Sequence, residues 1–166
     1  MPLVQRTLLV KGAYSIWENL KIYKNTGRFQ VMPYLGSNAH HVALRNSEVY
    51  DDGVLGGSTG ITIAGGSGNI FHHIVIYNNH IHHRGDADYE LQNDVIGVGI
   101  GSPAEDIWIL DNHIHHMGGD SILMNSANLD TQRVYVGRNL MHDDRENAID
   151  IKECRYVIVS ENEMYG

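Results

Sequence analysis

Apolar residues in this chain come in short alternating bursts, and the bursts recur. Val42 and Leu44, Ile74 and Ile76, Ile107 and Ile109, Val134 and Val136, and Val157 and Val159 are each separated by one position. That is the period of a strand with one face turned inward. Five segments carrying these pairs align without gaps: HVALRNSEVYD from His41, HIVIYNNHIHH from His73, DIWILDNHIHH from Asp106, RVYVGRNLMHD from Arg133 and YVIVSENEMYG from Tyr156. A weaker copy, NLKIYKNTGRF, starts at Asn19 and puts Leu20 and Ile22 in the two inward columns. Intervals between copies are then 22, 32, 33, 27 and 23 residues. A bare solenoid turn needs about 22 to 25, so the excess predicts loops near 53–72 and 84–93.

Three residues after the second inward column stand Asn25, Ser47, Asn79, Asn112, Asn139 and Asn162. An Asn at a turn can bond to backbone and to its equivalent in the next coil, which predicts a stacked ladder. Val49, Ile81, Ile114, Met141 and Met164 then return to the interior, and Gly27 interrupts that column in the first copy. A further strand per turn is expected after Asp52, Asp94, Asp120 and Asn147, and a short one in the ITIA run of the first insertion. The pattern predicts an all-β, single-domain right-handed parallel β-helix of about six turns over residues 1–166. An antiparallel sandwich accounts for alternation but not for near-identical internal spacing in five copies. A leucine-rich solenoid lacks its leucines here.

The I-x-I-x-x-N-x-I unit followed by a D-G-I-like turn resembles the right-handed parallel β-helix repeat of pectate-lyase-like proteins. The resemblance covers nearly the whole chain. It implies the fold, a polysaccharide as partner and an extracellular or cell-surface location. It does not choose among lyases, hydrolases, epimerases, tailspikes and inactive surface proteins.

Composition narrows the partners. Twelve basic against twenty acidic residues give a net charge of −8, which argues against nucleic acid and anionic membrane. No apolar run is long enough to span a bilayer. The single Cys154 rules out an internal disulfide and a cysteine-based zinc site. The glycine-rich GGSTGITIAGGSG run has neither the Lys-Ser/Thr ending of a P-loop nor a following helix. The last copy stops just after Met164 without an evident cap, so self-association through open ends or an outward apolar face is expected.

Candidate chemistry lies on outward rows. Lys21, Ala43, Val75, Trp108, Tyr135 and Ile158 form one row, in which Trp108 and Tyr135 suit stacking against sugars. His82, His115 and His142 form another row, with His80 and His113 beside it. Three readings compete for these histidines. Like residues are simply tolerated on a solenoid; or His80 and His113 help to hold a divalent metal such as zinc; or the row serves a polysaccharide. In a lyase reaction His115 would be the base, flanked by His82 and His142, while Arg84 or Arg138 holds a uronate carboxylate. Asp86, Asp88 and Glu90 in the second insertion offer alternate carboxylates for calcium, without the spacing of a known calcium loop.

Overall fold

The computed structural model describes residues 1–23, 27–32, 39–51, 59–64, 70–85, 94–101, 103–125 and 130–166. Every regular element among them is a strand, and no helix is long and apolar enough to cross a membrane. The first coil contains β1 (Leu3–Val4), β2 (Leu8–Val10) and β3 (Ser15–Glu18). The second has β4 (Lys21–Tyr23), β5 (Phe29–Val31) and β6 (His40–Arg45). The third has β7 (Glu48–Tyr50), β8 (Ile61–Ile63) and β9 (Phe71–Tyr77). The fourth has β10 (His80–Arg84), β11 (Val98–Ile100) and β12 (Ala104–Leu110). The fifth has β13 (His113–Met117), β14 (Ile122–Asn125) and β15 (Thr131–Gly137). The sixth has β16 (Leu140–His142), β17 (Ile149–Lys152) and β18 (Cys154–Ser160), after which β19 (Glu163–Tyr165) opens another.

Equivalent strands of successive coils pair in parallel. The first strands make sheet A, the second strands sheet B and the third strands sheet C, with seven, six and six members. This is a parallel β-helix of about six turns. Its interior is filled by stacked columns. Ile22, Val49, Ile81, Ile114 and Met141 come from sheet A, Phe29, Ile61, Val98 and Ile122 from sheet B, and Leu44, Ile76, Ile109 and Val136 from sheet C; all are buried. Each fully buried side chain of this size contributes roughly 1.5–3 kcal/mol relative to exposure. Val159 and Met164 continue two of these columns but are 43% and 49% exposed, because no described strand stacks on β18 or β19.

The first repeat lies five residues from where the alternation places it. Ser15, Trp17 and Glu18 pair with Val42, Leu44 and Arg45, and Ile22 pairs with Val49. Leu20 therefore occupies the ladder position: its N–H bonds to Ser47 Oγ at 3.1 Å, 27 residues away. Asn25 lies outside the described residues, and Gly27 interrupts no column. The spacing of Leu20 and Ile22 was compatible with either register; Ser15 takes the place opposite Val42 expected of Leu20, and Trp17, packed edge-on to Phe29 at 6.1 Å, takes the place opposite Leu44 expected of Ile22.

The ladder itself forms as expected. The N–H groups of Ser47, Asn79, Asn112 and Asn139 donate to Oδ1 of Asn79, Asn112, Asn139 and Asn162 at 2.9–3.0 Å. Each ladder amide also donates Nδ2–H backwards, for example Asn112 to the Ile76 carbonyl at 3.0 Å. The second strand starts where expected after Asp120 and Asn147, whose side chains bond at 2.8 Å. After Asp94 it starts later, because Val98 is the residue in register with Ile122. The ITIA strand exists as β8, whereas Asp52 lies outside the described residues.

Each coil turns its corners on single residues with positive φ. Tyr14, His41, His73, Asp106, Arg133 and Tyr156 kink the entry to sheet C. Asn19, Asn46, Asn78, Asp111, Arg138 and Glu161 make the turn into sheet A. His83, His116 and Asp143 turn out of it. Asn, Asp and His dominate these positions, the side chains that best tolerate left-handed backbone.

Candidate functional site: two histidine arrays and an aromatic cleft

The outward side of sheet A carries a six-ring ladder. Tyr23, Tyr50, His82, His115, His142 and Tyr165 stack one per coil, with neighbouring centroids 4.9–5.3 Å apart. The spacing follows from the distance between paired strands. Ring faces are turned along the rod against one another, which leaves the ring nitrogens at the edges to bond sideways within each coil or to the neighbouring one. A second row, Lys21, Glu48, His80, His113, Leu140 and Glu163, runs beside it in register.

Hydrogen bonds join the rows in a repeated motif. His82 Nε2 contacts Glu48 Oε1 at 3.3 Å, and its Nδ1 contacts His83 Nδ1 at 2.9 Å. One coil on, His115 Nε2 contacts His80 Nε2 at 2.8 Å and its Nδ1 contacts His116 Nδ1 at 2.7 Å. One further, His142 Nε2 contacts His113 Nε2 at 2.8 Å and its Nδ1 contacts Asp143 Oδ2 at 2.7 Å. A carboxylate only accepts, so His82 must donate from Nε2 and His142 from Nδ1. With uncharged rings, proton donation then runs from His83 through His82 to Glu48, but from His113 through His142 to Asp143. The outer wires point in opposite directions. Among the described residues no carboxylate is hydrogen-bonded to the middle one, His80–His115–His116.

Electrostatics keep the centre of the array uncharged. Burial, then His80 beside it, pushes His82 down to about 4 despite the Glu48 hydrogen bond. Burial, then His113, His80, His82 and His116, pushes His115 down to about 3. His80, His83 and His113 are also lowered, chiefly by burial. Burial works to raise Glu48, but hydrogen bonds from Lys21 and His82 outweigh it and its pKa falls. The hydrogen bond from His142 lowers Asp143. Three sets of ligand atoms in this array lie within 4.8 Å of one another: His80, His113 and His115; Glu48, His80 and His82; His116, His142 and Asp143. Metal binding there would compete with the wires for the same nitrogens.

Sheet C presents a different surface. Its outward row is Ile16, Ala43, Val75, Trp108, Tyr135 and Ile158; Lys21 belongs to sheet A, as the shifted first repeat requires. Trp108 and Tyr135 are half-buried and line an open cleft with Asp106, Arg133, Val134, Tyr156 and Ile158. Gly137 matters to its floor. A Cβ there would stand 2.7 Å from the Tyr135 ring, so only glycine lets that ring lie down over the strand. Arg133 forms a two-point pair with Asp106, at 2.7 and 3.0 Å, and also contacts Glu105 at 2.8 Å. At the corner beyond Trp108, His40 stacks on His72 and His41 on His73, at 4.8 and 4.4 Å.

The structure therefore brings together His80, His82, His113, His115 and His142, and separately Trp108 and Tyr135, on two different sheets. Arg84 is a correction. Its side chain is fully enclosed, 3.8 Å from Asp51 and directed at the Tyr50 carbonyl, so it neutralises an interior carboxylate and cannot reach a uronate outside. Arg138 is exposed and held by Asp111 through bonds of 2.8 and 2.7 Å. Both ring nitrogens of His115 are engaged, and the residue is only 9% exposed. Asp86, Asp88 and Glu90 lie outside the described residues. Sequence reasoning missed the corner group His40, His41, His72 and His73, as well as the extension of the ladder to Tyr50 and Tyr165. A visible signal existed in the four His-His dipeptides at 40–41, 72–73, 82–83 and 115–116. Comparison with protein-family models, curated proteins and solved structures finds no match to this chain.

Proposed function

We propose that this β-helix is a polysaccharide-binding domain whose contact surface is the outward face of sheet C. The observation that carries the reading is the Trp108–Tyr135 cleft. Aromatic surface forms its floor, and the ion-paired Arg133 and Asp106 stand at its rim. Sugar rings offer C–H faces to such a floor and hydroxyls to such a rim. The groove follows the rod, matching the shape of an extended polymer. Resemblance of the repeat to pectate-lyase-like proteins supports the same class of partner. The array on sheet A is read as a rigid polar face whose central rings, His82 and His115, stay uncharged. Binding is preferred to lyase chemistry because a base held near pKa 3 with both nitrogens engaged is a poor acceptor for a carbon-bound proton.

The test is affinity electrophoresis and calorimetry of the chain against neutral and uronate-containing polymers, with assay for unsaturated products. Expected is saturable binding without cleavage. Trp108→Ala and Tyr135→Ala should each weaken it about tenfold or more, whereas His82→Gln should not. Equal binding by all three variants, or none by the parent chain, overturns the reading.

A second reading has its own observation. Tyr14, Ile16, Tyr156 and Ile158, at the two ends of the same face, are between 58% and 76% exposed. Apolar surface of that extent also suits packing against another protein in a structural β-helix.

A further inference from the structure

We propose that His40, His41, His72 and His73 form a divalent-metal site of the class that takes copper(II) or nickel(II). It lies at the entry to sheet C and does not depend on the polysaccharide reading.

The site arises from a local backbone device used twice. Adjacent side chains on a regular strand point to opposite faces. Here the second histidine of each pair is in the left-handed region, at φ 52° for His41 and 56° for His73. The kink swings its ring back beside that of its predecessor. As a result Nδ1 of His40 is 2.8 Å from Nδ1 of His41, and Nδ1 of His72 is 2.7 Å from Nδ1 of His73. His40 and His72 are paired in register across β6 and β9. The two dipeptides therefore stack as rungs, with both ring pairs within 4° of parallel. Ligand atoms of His40, His41 and His72 all fall within 4.8 Å of one another.

Two imidazole nitrogens this close either share one proton or occupy neighbouring positions on one cation. Metal–nitrogen bonds of about 2.0–2.1 Å at a right angle put the nitrogens about 2.9 Å apart, whereas a tetrahedral angle needs about 3.4 Å. The observed separations match the right angle. Tetragonal nitrogen coordination favours copper(II) and nickel(II), and copper(II) heads the affinity order for such ligands. Bringing the two rungs onto one ion requires the stacked rings, 4.8 and 4.4 Å apart between centroids, to tilt towards each other, and His41 and His73 are exposed to incoming solute.

The equivalent dipeptides on sheet A are differently placed. His82 of the first dipeptide is bonded through Nε2 to Glu48, and His115 of the second through Nε2 to His80, so in each dipeptide one ring already has both nitrogens engaged. Among the described residues no carboxylate is hydrogen-bonded to the four corner rings. Yet Glu105 is paired in register with His72, with Asp106 next to it; Arg133 bonds to both, which leaves one net negative charge a coil away to offset part of a dication's charge.

The experiment titrates the whole chain with copper(II) chloride, and separately with nickel(II) and zinc chloride. Calorimetry gives stoichiometry, and electron paramagnetic resonance counts nitrogens on copper. Expected is one tight copper(II) with three or four nitrogen ligands, bound more strongly than zinc. A His41→Asn, His73→Asn double variant removes two imidazoles while keeping a residue that tolerates positive φ. It should lose the multi-nitrogen signal and weaken copper binding roughly tenfold or more, with an unchanged circular dichroism spectrum. His82→Gln, His115→Gln should keep both. The proposal is overturned if the parent chain binds no copper, if the corner variant retains the signal, or if the sheet A variant loses it.

Discussion

The rings of His115 and His142 lie one coil apart, 4.9 Å between centroids and 4° from parallel, yet their hydrogen bonds give them unequal freedom. His142 is anchored by Asp143, whereas His115 is held between two other imidazoles. The first prediction concerns tautomers. Nitrogen-15 spectra above pH 7 should show His82 protonated on Nε2, His142 on Nδ1, and His115 exchanging between the two forms. Replacing Asp143 by Asn should release His142 into the same exchange. A single shared tautomer for all three rings would contradict the opposed wires.

Acid stability should follow two opposing groups. His82 and His115 titrate near 4 and 3 in the folded chain, against an ordinary value of 6.5. Their uncharged rings contribute stability in full above pH 6.5, and that contribution is lost as the pH falls from there towards 4 and 3. Asp144 acts oppositely. Burial raises it from 3.8 to about 6, against hydrogen bonds from Ser121 and the Met117 N–H. Its protonated form favours folding at low pH, and that advantage disappears as the pH rises from 3.8 to about 6. Thermal melting should therefore show a falling Tm between about pH 7 and 4.5. The fall should be steeper in Asp144→Asn and shallower in His82→Gln, His115→Gln. Parallel curves for all three chains would refute the assignment.

The ladder predicts graded losses. In Asn112→Ala the N–H of Asn79 and the Ile76 carbonyl each lose a buried partner. That should cost roughly 2–4 kcal/mol, since stranded buried polar groups are costly, and lower Tm by about 5–15 °C. Asn162→Ala removes equivalent bonds to the Asn139 N–H and the Val136 carbonyl where solvent can replace them, and should cost less than half as much. Equal losses in calorimetric melts would mean that burial does not set the value of a rung.

Association should report on the apolar row. Light scattering from a polypeptide of these 166 residues should show a mass that rises with concentration. Ile16→Asp combined with Ile158→Asp should reduce that rise if sheet C faces pack together, and leave it unchanged if rod ends stack. A constant monomer mass for the parent chain rejects both modes.

Fold class was legible because a solenoid writes its tertiary structure as a local repeat. Each coil presents the same inward positions, so Ile74, Ile107 and Val134 could be aligned by counting, and Asn79, Asn112 and Asn139 followed at a fixed offset. The first repeat was less legible. Its ladder position holds Leu20 and one of its core positions holds Trp17, and only pairing with β6 resolves the register. Rows His82–His115–His142 and Trp108–Tyr135 could be placed on their faces by the same counting. What counting could not supply was direction within a coil. A single residue at positive φ turns a neighbouring side chain through a corner. This puts His41 beside His40, sends Arg84 inside to Asp51, and separates the histidine ladder from the aromatic cleft by a whole sheet boundary. Those placements depend on backbone angles and on partners a coil away, and neither is encoded in the spacing of apolar residues.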